Sequence, residues 1–390
     1  MWEGMQVTFL PNEPRNQPID HTMTAKNSPL NLMHIVFLHR FRGTILATTL
    51  LLLTSACGPA DESSSSNSQP SEELSPDHIE LVYNFEVGKR YVYEFDMAYE
   101  TDFGEGLGAL MPGSQNVTQS QEYSISVVEA LPDDGKRLEF AFHKNKFKMN
   151  MGDLKMDYDS EKPIDPNDPG SMMFAPFNEA IGPAVTVEID AKNNITSISG
   201  IEEIRDKVVS QAPPQIAGMA SGIFSRYYIE NLTTPSGNPI SPVKPGDSWP
   251  SNLTQDLGPL GTFFADMQYQ FKKMENHEGS ECAQIAYSGT IRGSSASESD
   301  NPNQMMEVTG GQLYGKQWFD PEVGHYTDAS SEQNMTMKMT VPGLPAEAMA
   351  GGGIELKVKQ KISRKMIRIE DINPASETES VPSEADASAE

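Results

Sequence analysis

Thiols, imidazoles, thioethers and paired carboxylates are the groups here whose types and spacing could do chemistry. There are two cysteines, Cys57 and Cys282. Cys282 sits in the alternating run Cys282-Ala283-Gln284-Ile285-Ala286-Tyr287, where an unpaired apolar thiol packs as a small hydrophobe. Of seven histidines, His21, His34 and His39 precede Cys57, while His78, His143, His277 and His325 stand isolated. His277 falls at a hairpin tip and is expected in solvent. Methionine is abundant at 21 residues; Met149 and Met151 share a strand face, as do Met335, Met337 and Met339. Thioethers so spaced could hold soft Cu(I), but polar Asn150, Thr336 and Lys338 opposite them favour core packing. The loop Asp165-Pro166-Asn167-Asp168-Pro169-Gly170 lacks EF-hand ligand spacing and reads as plain loop. Asp133-Asp134 and Glu202-Glu203 fit a turn and a helix start better than glycosidase chemistry. No G-x-S-x-G elbow, H-E-x-x-H helix, phosphate loop or dinucleotide fingerprint is present. The expectation is a non-enzymatic chain with no catalytic, cofactor or metal residues; a hydrolase with dispersed catalytic residues ranks last.

Cys57 reads differently. From Met33 the chain runs MHIVFLHRFRGTILATTLLLLTSAC, with Arg40 and Arg42 ahead of an apolar stretch, Thr44–Leu53, and then small Ser55 and Ala56. That stretch is too short for a comfortable membrane span and is followed by acidic, Ser-rich sequence, as in an export signal. Leu53-Thr54-Ser55-Ala56-Cys57 resembles the bacterial lipobox, with Thr54 where Leu is usual. The resemblance implies diacylglyceryl transfer to the Cys57 thiol, cleavage before it and acylation of the new amine. It makes Cys57 the lipidation site and the membrane a partner through that anchor. Residues 1–32 have no signal character and read as a gene-start artefact, 33–56 as the lipoprotein signal peptide. The outer membrane, at its periplasmic face or the cell surface, is the expected location.

The elements beyond the anchor are legible from polarity. Residues 57–78 form a Ser-, Glu- and Pro-rich tether and 372–390 an acidic, disordered tail. Between them, strict alternation dominates: Tyr91, Tyr93, Phe95, Met97 and Tyr99 on one face, Glu94, Asp96 and Glu100 on the other. The same period recurs at Tyr123–Val127, Leu138–Phe142, Val185–Ile189, Ile285–Ile291 and Ile354–Val358, the mark of antiparallel sheet with one apolar side. Pro132-Asp133-Asp134-Gly135 and His277-Glu278-Gly279 read as hairpin tips. Ser199-Gly200-Ile201-Glu202 reads as a capping box opening a helix with Ile201, Ile204 and Val208 on its apolar side. After Pro213-Pro214, a second amphipathic stretch carries Ile216, Met219, Ile223, Phe224 and Tyr227.

The predicted fold is mostly β (α+β): two related antiparallel halves, 79–241 and 242–371, forming a curved sheet or half-barrel with a helical insertion near 199–232 packed on it. Four landmarks recur in order, among them Gly88-Lys89-Arg90-Tyr91 with Gly246-Asp247-Ser248-Trp249, and Phe95–Tyr99 with Ala265–Tyr269. Gly88–Tyr93, Pro245–Trp249 and Phe319-Asp320-Pro321-Glu322-Val323-Gly324 resemble the motifs of a bacterial lipoprotein family of unknown function. More distantly, helices embraced by a one-sided sheet resemble the LolA, LolB and LppX half-barrel lipoproteins, which hold acyl chains.

The formal net charge of −26 argues against nucleic acid, because phosphate binding needs a basic stripe. The leading functional expectation is an envelope lipoprotein binding an apolar ligand or a partner protein through its Met- and aromatic-rich sheet face. The competing expectation is a purely structural component with a sealed core.

Overall fold

The computed structural model describes residues 78–102, 115–151, 154–234, 237–256, 262–293, 306–339 and 354–372. Cys57, the signal segment, the stretch before it, the tether to residue 77 and the tail from 373 lie outside the described residues.

The protein is mostly β, with a single curved, unclosed antiparallel sheet. Its strands are β1 (Lys89–Asp102), β2 (Gln115–Ala130), β3 (Lys136–Met151), β4 (Leu154–Asp159), β5 (Ala184–Ile189), β6 (Ile195–Ser199), β7 (Ser248–Asp256), β8 (Thr262–His277), β9 (Ser280–Gly293), β10 (Met306–Asp320), β11 (His325–Met339) and β12 (Ile354–Asp371). Their spatial order is β6-β5-β3-β2-β1-β12-β11-β10-β9-β8-β7, with β4 paired to β3. Two meanders therefore meet where β1 pairs with β12, from Lys89 opposite Asp371 to Asp102 opposite Lys357.

Alternation sets the faces. Tyr91, Tyr93, Phe95, Met97 and Tyr99 are buried while Glu94, Asp96, Ala98 and Glu100 are exposed. Burying each such aromatic contributes about 1.5–3 kcal/mol, which fixes register because a one-residue slip would turn the whole row into water. The expected tips are hairpin turns. Asp133 and Asp134 both adopt positive φ between β2 and β3, and Glu278-Gly279 makes a two-residue turn between β8 and β9 with φ of 53° and 102°. Gly88 and Gly246 likewise turn at positive φ ahead of β1 and β7. Phe95–Tyr99 lies on the first strand of its half, whereas Ala265–Tyr269 lies on the second strand of the other.

Among the described residues, four α-helices interrupt the sheet: α1 (Pro169–Phe174), α2 (Ile201–Gln211), α3 (Pro214–Ile223) and α4 (Arg226–Thr233). Ile201, Ile204 and Val208 are buried, as their spacing requires. The capping box does not form: Ser199 belongs to β6, and the cap is Gly200 at φ 90° with no side-chain bond. The stretch after Pro213 is two helices, because Phe224 leaves helical geometry and the Ser225 side chain caps α4 by accepting from the Tyr228 amide. Buried Tyr228 rather than Tyr227 therefore faces the core. Phe224 packs edge-on against Phe142 of β3 at 5.8 Å, seating these helices on the inward face of the first half. No helix among the described residues is long and apolar enough to cross a membrane.

A further part of the inward face is covered from an unexpected source. Ahead of β1, Leu81, Tyr83 and Phe85 are buried and alternate with Val82, Asn84 and Glu86. This segment bridges to Val243 through Ile79, and the Asn84 amide donates to the Gly324 carbonyl. It acts as a strap over the end of the face where Tyr91, His325 and Tyr326 lie, with Tyr83 and Phe85 packed on those rings. Met149 and Met335 are buried within the inward face and Met337 packs against it.

Candidate functional site

The hollow in this structure lies on the opposite face. A cavity of about 870 Å³ is lined by the outward side chains of β1, β2, β3, β9, β10, β11 and β12. Strand register explains it. One row across the sheet reads Lys146, Ser120, Asp96, Ser363, Ser330, Lys316 and Ala286, each residue opposite the next. The adjacent row reads Lys148, Thr118, Ala98, Lys361, Glu332 and Tyr314. The short side chains Ser120, Asp96, Ser363 and Ser330 of the first row leave a trough, with Lys146 and Lys316 at its two ends and Lys361 and Glu332 of the adjacent row along its side. From β3 to β9 the trough crosses about 29 Å of sheet at the usual strand spacing. Its volume suits a small-molecule site of roughly 300–1,000 Å³.

Electrostatics set the two ends apart. Lys146 pairs with Glu161 at 2.8 Å and Asp159 at 3.5 Å, and Lys148 with Asp157 at 3.4 Å. Glu332 takes Lys359 at 3.1 Å and Lys361 at 3.8 Å, and its pKa is held below the usual carboxylate range by a Tyr314 hydrogen bond and by Lys359. Lys316 instead lies over the Trp318 ring at 4.6 Å, and no carboxylate among the described residues reaches its ammonium. Lysine stems and the half-exposed Tyr314 ring give apolar wall, and Lys316 gives a positive charge at the β10 end, while the lysines of the β3 end are matched by carboxylates.

Beneath the floor, facing inward, lies a buried polar network that sequence reading missed. Arg364 of β12 donates to the Tyr83 hydroxyl at 2.9 Å and lies over the Tyr93 ring at 5.2 Å. No carboxylate among the described residues pairs with it, although Arg stays charged when buried. His325 Nδ1 lies 3.0 Å from the Tyr93 hydroxyl and Nε2 3.0 Å from the Asn84 carbonyl. A carbonyl can only accept, so Nε2 carries the proton and Nδ1 accepts from Tyr93, leaving the ring neutral. Burial drives the His325 pKa down to about 3, and Arg364 pushes the same way. Close by, both polar atoms of the Gln119 amide, the Gln121 nitrogen and the Gln360 oxygen are buried with no partner among the described residues. The strap's alternating Leu81-Val82-Tyr83-Asn84-Phe85 was the available signal for this network.

The other sequence candidates resolve individually. Cys282 is fully buried and desolvation raises its pKa, as a packed thiol requires. Asp168 caps α1 by accepting from the Gly170 and Ser171 amides, and Asp165 accepts from the Asn167 amide, so that loop is ordinary cap chemistry. His143 bonds Ser124 Oγ at 2.8 Å, and burial lowers its pKa. His277 is not a solvated tip residue: its ring stacks on Trp318 at 4.1 Å and its Nε2 lies 3.1 Å from Asp328. The lipidation candidate, Cys57, lies outside the described residues.

A model of a family of unknown function, DUF6263, matches residues 133–343, more than half of the chain. No curated protein matches. Among solved structures, lipovitellin, in a study of its lipid–protein interactions, is 13% identical with a TM-score of 0.38; the match covers 75% of this chain but only 26% of lipovitellin. A Bacteroides fragilis protein described as exported, with a YmcC-like fold, is 12% identical over 75% of this chain and 99% of its own, with a TM-score of 0.25. A Parabacteroides distasonis protein described as a lipoprotein is 10% identical over 75% and 100%, also with a TM-score of 0.25. With TM-scores below 0.5, these likenesses do not bear on function.

Proposed function

The chain belongs to DUF6263, a family of unknown function, and from that premise we propose that it is a non-enzymatic envelope lipoprotein which holds an amphipathic, acidic ligand in the trough of its exposed sheet face. The observation that carries this reading is the register row Ser120, Asp96, Ser363 and Ser330, short side chains set between Lys146 and Lys316, with Lys148 and Lys361 in the adjacent row. In a chain of net charge −26, such a concentration of ammonium groups around a hollow favours an anionic group at the β10 end and an apolar body along the stems. Cys57 supplies the anchor; two or three acyl chains, at about 0.8 kcal/mol per buried CH₂, make attachment stable. The envelope, outer membrane included, is the location this anchor implies, and nucleic acid is not a partner. The two halves are proposed to be related by duplication, joined at β1 and β12.

The LolA-like alternative places an acyl chain on the inward face. The aromatic residues of that face are buried, with helices and strap packed on part of it, and the hollow opens on the outer face, so the ligand is assigned there. A sealed structural role remains the second reading, favoured by the same buried face.

The test is a titration of the mature chain with a fluorescent fatty acid, against its neutral alcohol analogue. Saturable binding of the acid, weaker for the alcohol and weakened about tenfold by Lys316→Glu, supports the trough. Equal affinity for acid and alcohol, insensitive to Lys316→Glu, removes it and leaves the structural reading.

A further inference from the structure

A second constellation, beside the β10 end of the trough and sharing Trp318 with Lys316, brings together an imidazole and two carboxylates. His277 and Glu278 come from the β8–β9 tip and Asp328 from β11, with one donor atom of each lying within 4.8 Å of the others. His277 Nε2 and Asp328 Oδ2 are already 3.1 Å apart. Donors about 2.0–2.2 Å from a tetrahedral ion sit a little over 3 Å from one another, so only Glu278 has to close in. Its side chain is 54% exposed at the turn tip, which leaves it free to do so.

The imidazole is held ready. Its ring lies parallel to the Trp318 indole, 7° off and 4.1 Å away. Trp318 is in turn fixed by its Nε1 donating to Glu275 at 2.8 Å, and Gln284 donates to that same carboxylate oxygen. Outer contacts of this kind orient a ligating ring before an ion arrives. One cation already competes: Lys365 of β12 is ion-paired with Glu278. A single ammonium does not offset two carboxylates, and a divalent ion would.

We propose that His277, Glu278 and Asp328 form a surface site for a divalent transition metal of the Zn²⁺ and Ni²⁺ class, with open coordination positions towards solvent. One nitrogen and two oxygens suit borderline ions, whereas Ca²⁺ takes oxygen ligands alone.

Trp318 makes the site measurable, since Ni²⁺ bound to the stacked imidazole quenches indole emission. The mature chain is titrated with Ni²⁺, followed by competition with Zn²⁺. The expected result is saturable quenching at one ion per chain, reversed by Zn²⁺. Asp328→Asn, an isosteric change that leaves the stack in place, weakens binding about tenfold or more. His277→Ala abolishes the quench, and Lys365→Met tightens binding by removing the competing ammonium. Quenching that fails to saturate, or that saturates identically in Asp328→Asn and His277→Ala, overturns the site.

Discussion

His325 shows how much one neutral ring can carry. It accepts from Tyr93, donates to the Asn84 carbonyl and stacks on Tyr91 at 4.0 Å, joining strap, β1 and β11. Burial lowers its pKa from 6.5 to about 3, so below pH 6.5 the unfolded chain takes up a proton that the folded chain refuses. Stability is therefore unaffected above pH 6.5 and falls as pH drops from there towards 3. Between pH 6.5 and 4.5 the loss from this group is about 2 kcal/mol. His143, lowered mainly by desolvation, adds a slope of the same sign. The stabilisation from carboxylates held low by their partners, Glu278 and Glu332 among them, is lost only further down, below their ordinary value of 4.5. Urea unfolding at both pH values should show this loss in the wild type and a flatter profile in His325→Gln; an unchanged profile contradicts the buried neutral assignment. None of this was legible in sequence, where His325 stands beside a glycine turn with no charged partner. Of the residues that complete its environment, Tyr83 lies more than two hundred positions away along the chain and Arg364 about forty, on the next strand. Cys282 was legible from the apolar character of its thiol rather than from alternation, since it falls in step with Gln284 and Ala286 and not with buried Ile285 and Tyr287.

At the scale of elements, polarity reported strands well and helix ends poorly. Period-two runs name their buried face without outside help, so β1, β3, β5 and the start of β12 could be read directly. Capping is decided by the backbone angle at one residue, and at Gly200 that angle is left-handed, which excludes the Ser199 cap. The strap was missed because its alternation stops before a turn and makes only a bridge, not a ladder. Two glycines test the account here. Gly279 holds φ 102° in the tip beside His277 with open space around it, so Gly279→Ala carries backbone strain alone, about 1 kcal/mol. At Gly315 of β10 an added Cβ would collide with the Ser330 carbonyl and the Tyr287 ring. Gly315→Ala should therefore cost more, about 1–3 kcal/mol, by forcing β10 and Tyr287 apart. Urea midpoints measure both, and the reverse ranking would contradict the packing described.

At the scale of the whole molecule, a single sheet serves two faces. One carries the strap, the helices and buried aromatic rings; the other is hollowed along the row Ser120, Asp96, Ser363 and Ser330 of β2, β1, β12 and β11. The class of fold was legible because alternation recurs throughout, and the exclusion of common enzyme motifs was legible by inspection. The trough was not, because it exists only in the register between strands from opposite ends of the chain. Anchoring is tested separately: Cys57→Ser should abolish incorporation of labelled acyl chain and release the protein from membranes, and retention of both would contradict lipidation. The central claim is ligand binding in the trough, and native mass spectrometry of the mature chain, exported and purified without lipid supplementation, tests it most directly. The account predicts a lipid-sized mass beyond the covalent anchor, lost on solvent extraction and diminished in a Lys316→Glu, Lys361→Glu double variant. A bare chain mass, or an adduct retained equally by the double variant, would contradict it.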